Sequence, residues 1–146
     1  LREAIIAFKY QSEWARYQHL GALLVPIVES LGSVDALVPV PLHPRREAVR
    51  GYNQARLLAN AVAERANIPV HNALVRELDT RQQVSLSAEL RRTNMAGAFR
   101  TQANVEGRNL VLIDDVITTG ATLLECARAL RAAGAARVGA VTLAHG

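Results

Sequence analysis

Lysine is almost missing from this chain. Lys9 is the only one in 146 residues, and every other basic side chain apart from histidine is arginine. No GxxxxGK[ST] run is present, so a P-loop is excluded. Cysteine is equally scarce: Cys126 alone builds neither a disulfide framework nor a zinc site. A reducing, cytoplasmic setting is the expectation that follows. Aromatic residues make up 4% of the chain, too few for an extended stacking platform for nucleic acid. No apolar run is long enough to span a membrane, no secretory signal is visible, and no membrane partner is expected. Low-complexity tracts and internal repeats are also missing. The chain begins at Leu1 rather than Met, and a segment upstream of it is expected.

Half of the residues are hydrophobic, enough for one domain with a core of its own. We read residues 1–146 as that domain, with a helical segment over 1–32 and an α/β sheet over 36–146. The net charge is +4 and the sequence pI about 10.0. Arginine suits bidentate contacts to phosphate, although arginine-biased coding gives the same composition. The charge permits anionic ligands and nucleic acid and establishes neither.

The most informative run is Asn109 to Thr122. Leu110 to Ile113 is a short apolar stretch rich in β-branched residues, as in a strand covered on both faces. Asp114 and Asp115 follow, then a turn bearing Thr118, Thr119 and Gly120. From Leu123 the spacing is helical, through Leu124, Ala127 and Leu130, with Gly134 as terminator. A second apolar strand runs from Val138 to Leu143. Open α/β sheets bind ligands at the carboxyl end of such a first strand.

A helix starting near Thr119 to Ala121 leaves amides without intrahelical partners, and its dipole adds to their pull on an anion. Thr118, Thr119 and Thr122 offer hydroxyls, and Gly120 lets the backbone approach an oxygen closely. Adjacent carboxylates repel phosphate, so Asp114 and Asp115 should face a sugar diol or Mg²⁺. A sugar phosphate satisfies both requirements. The acidic pocket of response-regulator receivers starts similarly, but it needs a later phosphate-accepting aspartate, and none follows Asp115.

Upstream, Leu20, Leu23, Leu24, Ile27, Val28 and Leu31 predict a helix with Ser12 as its cap, Pro26 as a kink or break, and Trp14 and Tyr17 on its outer side. Ala36 to Val40 reads as a buried strand. Pro41, Leu42, His43, Arg45, Arg46 and Arg50 form a stiff basic loop, and a helix starts near Asn53 and runs to about Ala66. The loop's charge and that helix's amides suit pyrophosphate. A solvated basic loop is the plain alternative. His43 is an acid–base candidate, though loop histidines more often only hydrogen-bond or pack. Tyr52 would orient the loop or pack in the core; His19 and His71 have no such context. A strand is expected near Val70 to Val75. Residues Asp79 to Phe99 are polar and arginine-bearing, which suits a substrate loop or plain disorder, with a short helix near Ser87 to Arg92.

Val111 to Thr122 resembles the phosphoribosyl pyrophosphate motif of type I phosphoribosyltransferases, ungapped and in the strand–turn–helix setting. Pro39 to His43 with Arg50 to Ala55 is similar to the ComF family, a branch linked to competence for DNA uptake. Phe8 to Tyr10, Arg81 to Leu86 and Arg91 to Phe99 extend the likeness over nearly the whole chain. Many ComF members carry a four-cysteine zinc module at the N-terminus; residues 1–146 do not contain it, so zinc is not claimed for them, and what lies upstream of Leu1 is left open.

The resemblance implies an α/β fold of type I phosphoribosyltransferase kind, a mainly parallel Rossmann-like sheet with helices on both faces. It implies Mg²⁺-dependent binding of phosphoribosyl pyrophosphate and transfer of the phosphoribosyl group to an unknown acceptor. Asp114 and Asp115 would hold the ribose hydroxyls, and Mg²⁺ directly or through the ligand. Thr118, Thr119, Gly120, Ala121 and Thr122 would hold the 5-phosphate. Pro41, Leu42, His43, Arg45, Arg46 and Arg50 would serve the pyrophosphate. Arg81, Gln83, Arg91 and Asn94 correspond to the mobile catalytic loop. In the purine-salvage branch the position of Thr118 is an aspartate, so hypoxanthine and guanine are disfavoured as acceptors. The rival reading is a non-catalytic module that keeps the pocket and acts as a sensor or partner in DNA uptake. Further partners under the resemblance are weakly bound single-stranded DNA or a protein of the competence machinery, and a homo-oligomer is left open.

Overall fold

The computed structural model describes residues 2–77 and 97–146, and in its first helix the side chains from Tyr10 onward. Helix α1 (Arg2–Ser30) leads into strand β1 (Ala36–Pro39), helices α2 (Pro44–Arg50) and α3 (Gln54–Ala66), and strands β2 (Leu74–Arg76) and β3 (Phe99–Thr101). Strand β4 (Asn109–Ile117), helix α4 (Ala121–Ala132) and strand β5 (Arg137–His145) complete it.

The main sheet is parallel, in the order β1-β4-β5, with Leu37 in register with Val111, and Ile113 in register with both Pro39 and Val141. Val70 adds a parallel bridge on the outer side of β1. Strands β2 and β3 form a separate antiparallel pair. The strand expected over Val70 to Val75 is therefore two pieces. A tight turn in which the Ala73 amide donates to the His71 carbonyl redirects the chain between them.

Strand alternation sorts the core into two layers. Leu110 and Leu112 of β4 lie in one cluster with Ala36, Val38, Leu74, Phe99, Cys126 and Leu130. Val111 and Ile113 lie in the other with Leu37, Leu57, Leu58, Val62, Tyr17 and Val28. Helices α1 and α3 thus cover one face, and α4 with the β2–β3 pair covers the other. Each fully buried leucine, such as Leu58 or Leu112, contributes about 2 kcal/mol by leaving water.

Helix α1 departs from the expected pattern. It is unbroken from Arg2 to Ser30, with Ser12 and Pro26 both inside it. Pro26 removes the donor that would reach the Ala22 carbonyl, but both residues are exposed, so that carbonyl is open to water. Tyr17 is buried rather than outward, while Leu23 and Ile27 are exposed. The inward line is Tyr17, Gly21, Leu24 and Val28, because α1 meets α3 along it. A Cβ on Gly21 would stand 2.6 Å from Ala61 Cβ, so the two helices approach as closely as they do only with glycine there.

The stretch expected to be a basic loop contains α2. His43 is its N-cap, Pro44 occupies the first turn, and Gly51 ends it with φ of 90°. Proline at a helix start and glycine past its end are the standard punctuation of a short helix. Among the described residues no helix is long and apolar enough to cross a membrane.

Candidate phosphoribosyl site

The strand β4 runs through the acid pair instead of ending before it. Asp114 is opposite Thr142 of β5. The Asp115 amide donates to Asp114 Oδ1 at 2.9 Å, and the Val116 amide to Asp115 Oδ1 at 2.9 Å. Each carboxylate is thereby steadied by the backbone just after it. The alternation of the strand places the two acids on opposite faces of the sheet. Asp114 continues the line of Leu110 and Leu112, toward Cys126. Asp115 continues the line of Val111 and Ile113, toward Tyr17.

Neighbouring ionisable groups report the same division. Burial pushes the Cys126 thiol far up, the negative charge of Asp114 pushes it further, and Arg76 opposes that. On the other face, burial raises the Tyr17 hydroxyl, Arg16 opposes the rise, and Asp115 adds to it. Burial also raises Tyr52, with Glu13 adding to the effect.

After Ile117 the chain turns through exposed Thr118 and Thr119 into Gly120, which has φ of 77° and precedes α4. That left-handed conformation is strained for a side-chain-bearing residue, most of all a β-branched one. Gly120 provides no side-chain cap. The Ala121 amide reaches Thr119 Oγ1 at 3.3 Å, and the first helical bond is from the Leu124 amide to the Gly120 carbonyl at 2.9 Å. The intervening amides of Thr122 and Leu123 belong to the first turn, where the helix itself supplies no acceptors.

The adjoining edge is formed by the segment after β1. The Val40 amide donates to the Ile113 carbonyl at 3.0 Å, which puts Pro41 and Leu42 beside the acid end of β4. Asn53 pins the other end of this segment: its Nδ2 donates to the Val40 carbonyl at 3.0 Å, and its Oδ1 accepts from the Ala55 amide at 2.9 Å. The start of α3 is therefore closed, and it does not offer pyrophosphate all the donors the sequence suggested. His43 Nδ1 accepts from the Arg45 amide at 3.3 Å, which sets the ring in the tautomer protonated on Nε2. Arg45 and Arg50 are exposed and Arg46 is half-buried. Glu47 is paired with Arg56 at 2.9 Å, which ties α2 to α3.

The structure thus brings Asp114, Asp115 and the turn from Thr118 to Thr122 to one strand end, with Pro41 to Arg50 at the neighbouring strand end. Arg81, Gln83, Arg91, Asn94 and the expected helix near Ser87 to Arg92 lie outside the described residues. Two residues near the acids escaped the sequence reading. Tyr17, expected on the outer side of its helix, is buried on the inner side. Arg76 is an arginine only 4% exposed, with its guanidinium 5.3 Å from the centre of the Phe99 ring. Its signal in the sequence was the apolar run Ala73 to Val75 leading straight into a charge.

A parallel sheet with an acid pair and a glycine-started helix at its carboxyl edge defines the phosphoribosyltransferase class of α/β domain. The family model for the phosphoribosyl transferase domain matches residues 52–146. The chain belongs to that family, in its ComF branch. It is 42% identical over 105 residues to the DNA utilization protein YhgH of Escherichia coli O157:H7, covering 71% of this chain and 46% of that protein. It is 36% identical over 137 residues to Competence protein F of Haemophilus influenzae, covering 87% of this chain and 60% of the relative. The chain spans about half the length of the curated relatives it matches. Among solved structures it is similar to the glutamine phosphoribosylpyrophosphate amidotransferase of B. subtilis complexed with ADP and GMP. That likeness has a TM-score of 0.60 and 26% identity, over 87% of this chain and 26% of the other.

Proposed function

We propose that this protein binds phosphoribosyl pyrophosphate in the presence of Mg²⁺ and transfers the phosphoribosyl group to an acceptor, in a role linked to DNA uptake. The observation that carries the reading is the open start of α4 directly after an acid-bearing strand end. There the amides of the first turn and the hydroxyls of Thr118, Thr119 and Thr122 would take the 5-phosphate. Asp114 and Asp115 would take the ribose hydroxyls from opposite sides. The role in DNA uptake rests on what the relatives' names say of them.

The donor set suits magnesium held partly by its ligand. Among the described residues no group of three or more His, Cys, Asp or Glu is arranged to hold a metal ion. Mg²⁺ ordinarily uses one or two carboxylates together with substrate oxygens. Asp114 and Asp115 would hold the ion, directly or through the ligand. When bound, the ion supplies charge neutralisation to the pyrophosphate. Arg45, Arg46 and Arg50 add positive charge on the same side, so that the leaving group departs into a field prepared for it. The remaining rate enhancement comes from holding the anomeric carbon against the acceptor.

His43 favours a second reading. One ring nitrogen is already used to cap α2, which limits its value as an acid–base group and suits a module that binds without turnover. Pyrophosphate release from phosphoribosyl pyrophosphate, followed with Mg²⁺ across a panel of nucleobases and amines, separates the two. Release above background hydrolysis with one acceptor class supports transfer. Tight binding without release supports the binding module. Neither binding nor release rejects both.

A further inference from the structure

We propose that Arg76 is a positioning residue that pairs electrostatically with Asp114 and holds its carboxylate in the orientation the sugar requires. Arg76 is the last residue of β2 and is paired in register with Phe99, the first residue of β3. Its guanidinium lies against the Phe99 ring, and only 4% of the residue is exposed. A buried guanidinium is costly unless a charge or several hydrogen bonds compensate it. Phe99 supplies part of the compensation through its ring face. The strand alternation of β4 places Asp114 on this same face of the sheet. Cys126, fully buried on this face, feels both charges, with opposite signs. Glu125, the other acid felt by Cys126, is paired with Arg128 at the surface. Among the described residues, Asp114 is thus the carboxylate on this face that is placed to complement Arg76.

The role differs from that of Arg45, Arg46 and Arg50, which stand at the neighbouring strand end. Arg76 does not need to touch the ligand. It acts through Asp114, by fixing the orientation of that side chain beside the sugar. The ligand half of the inference rests on the function proposed above; the pairing does not.

The test is a double-mutant cycle with R76M, D114N and the double variant, read in two ways. In urea denaturation without ligand, the double variant should lose less stability than the sum of the single losses, because either change alone leaves the other charge uncompensated. In calorimetry with phosphoribosyl pyrophosphate and Mg²⁺, R76M should weaken binding about tenfold in the native background and less than about twofold in the D114N background. R76K, which keeps the charge, should recover part of the affinity. If R76M fails to fold, the same cycle is run with R76K and R76Q. Additive stability losses would overturn the pairing. Coupled stability with equal ligand effects in both backgrounds would overturn the positioning role. If the native protein binds no phosphoribosyl pyrophosphate, the proposed function falls, and the ligand-free cycle still decides whether Arg76 and Asp114 are paired.

Discussion

Helices α3 and α4 both start at the carboxyl edge of the sheet, and their first turns are built in opposite ways. Asn53, 3% exposed, closes α3 by capping Ala55 and tying the turn to Val40. Gly120 gives α4 no side-chain cap and a left-handed start; among the described residues only the Ala121 amide is taken, by the exposed Thr119 hydroxyl at 3.3 Å, and no side chain ties this turn to the sheet as Asn53 does. A closed start fixes the chain, and an open start leaves donors for an anion. The difference explains why the sheet edge can be rigid on the β1 side and receptive on the β4 side.

Breaking the closed start should have the largest effect on stability. Asn53→Ala removes a cap and strands the Val40 carbonyl, at a cost of about 2 kcal/mol. Urea denaturation should show that loss, with affinity for phosphoribosyl pyrophosphate little changed. If the variant is as stable as the native protein, Asn53 does not secure this edge. Breaking the open start should do the reverse. Gly120→Val should weaken the ligand about tenfold or more, from backbone strain of about 1–3 kcal/mol and a blocked approach. Asp114→Asn and Asp115→Asn should each weaken it about tenfold, the worth of one charge-assisted hydrogen bond. Native circular dichroism with unchanged affinity in all three variants would place the site elsewhere.

Much of the receptive side was legible because its signals are local. The switch from β-branched run to acids, hydroxyls, glycine and helical spacing lies within one short segment, Asn109 to Leu130. The inward residues of α3, Leu57, Leu58, Ala61 and Val62, follow from periodicity in the same way, and all are buried. What escaped depends on contacts distant in sequence. Tyr17 is drawn inward because Gly21 lets α1 close on α3. Arg76 is buried by a strand pairing across the segment between β2 and β3. Pro44 read as part of a loop because proline at a helix start and proline in a turn look alike until Gly51 closes the helix.

A smaller effect should come from the face behind Asp114. Burial and the Asp114 charge raise the Cys126 thiol far above its ordinary value. The unfolded chain loses that proton near pH ~8.5 while the folded chain keeps it, so stability should fall as pH rises above that point. Tyr17, also raised mainly by burial, adds a decline in the same direction above pH ~10. Denaturation midpoints across pH 7.5 to 10, roughly the window those ordinary values define, check the sign. Ellman's reagent should leave Cys126 unreacted in the folded protein, and rapid labelling at neutral pH would mean this face opens.

The smallest expected effect is binding of single-stranded DNA. With aromatics at 4% of the chain, attraction would be mainly electrostatic and steeply salt-dependent. It should compete with phosphoribosyl pyrophosphate where Arg45, Arg46 and Arg50 serve both. Fluorescence anisotropy across a salt series, with and without added ligand, checks this. Binding indifferent to both salt and ligand would point to a separate surface.

The central claim is that the open start of α4 and the two acids before it form a magnesium-assisted sugar-phosphate site. Calorimetric titration of the native protein with phosphoribosyl pyrophosphate, with and without Mg²⁺, tests it most directly. The account predicts saturable binding at one site with Mg²⁺ and clearly weaker binding when the ion is removed. No heat at millimolar ligand with Mg²⁺ present would contradict it.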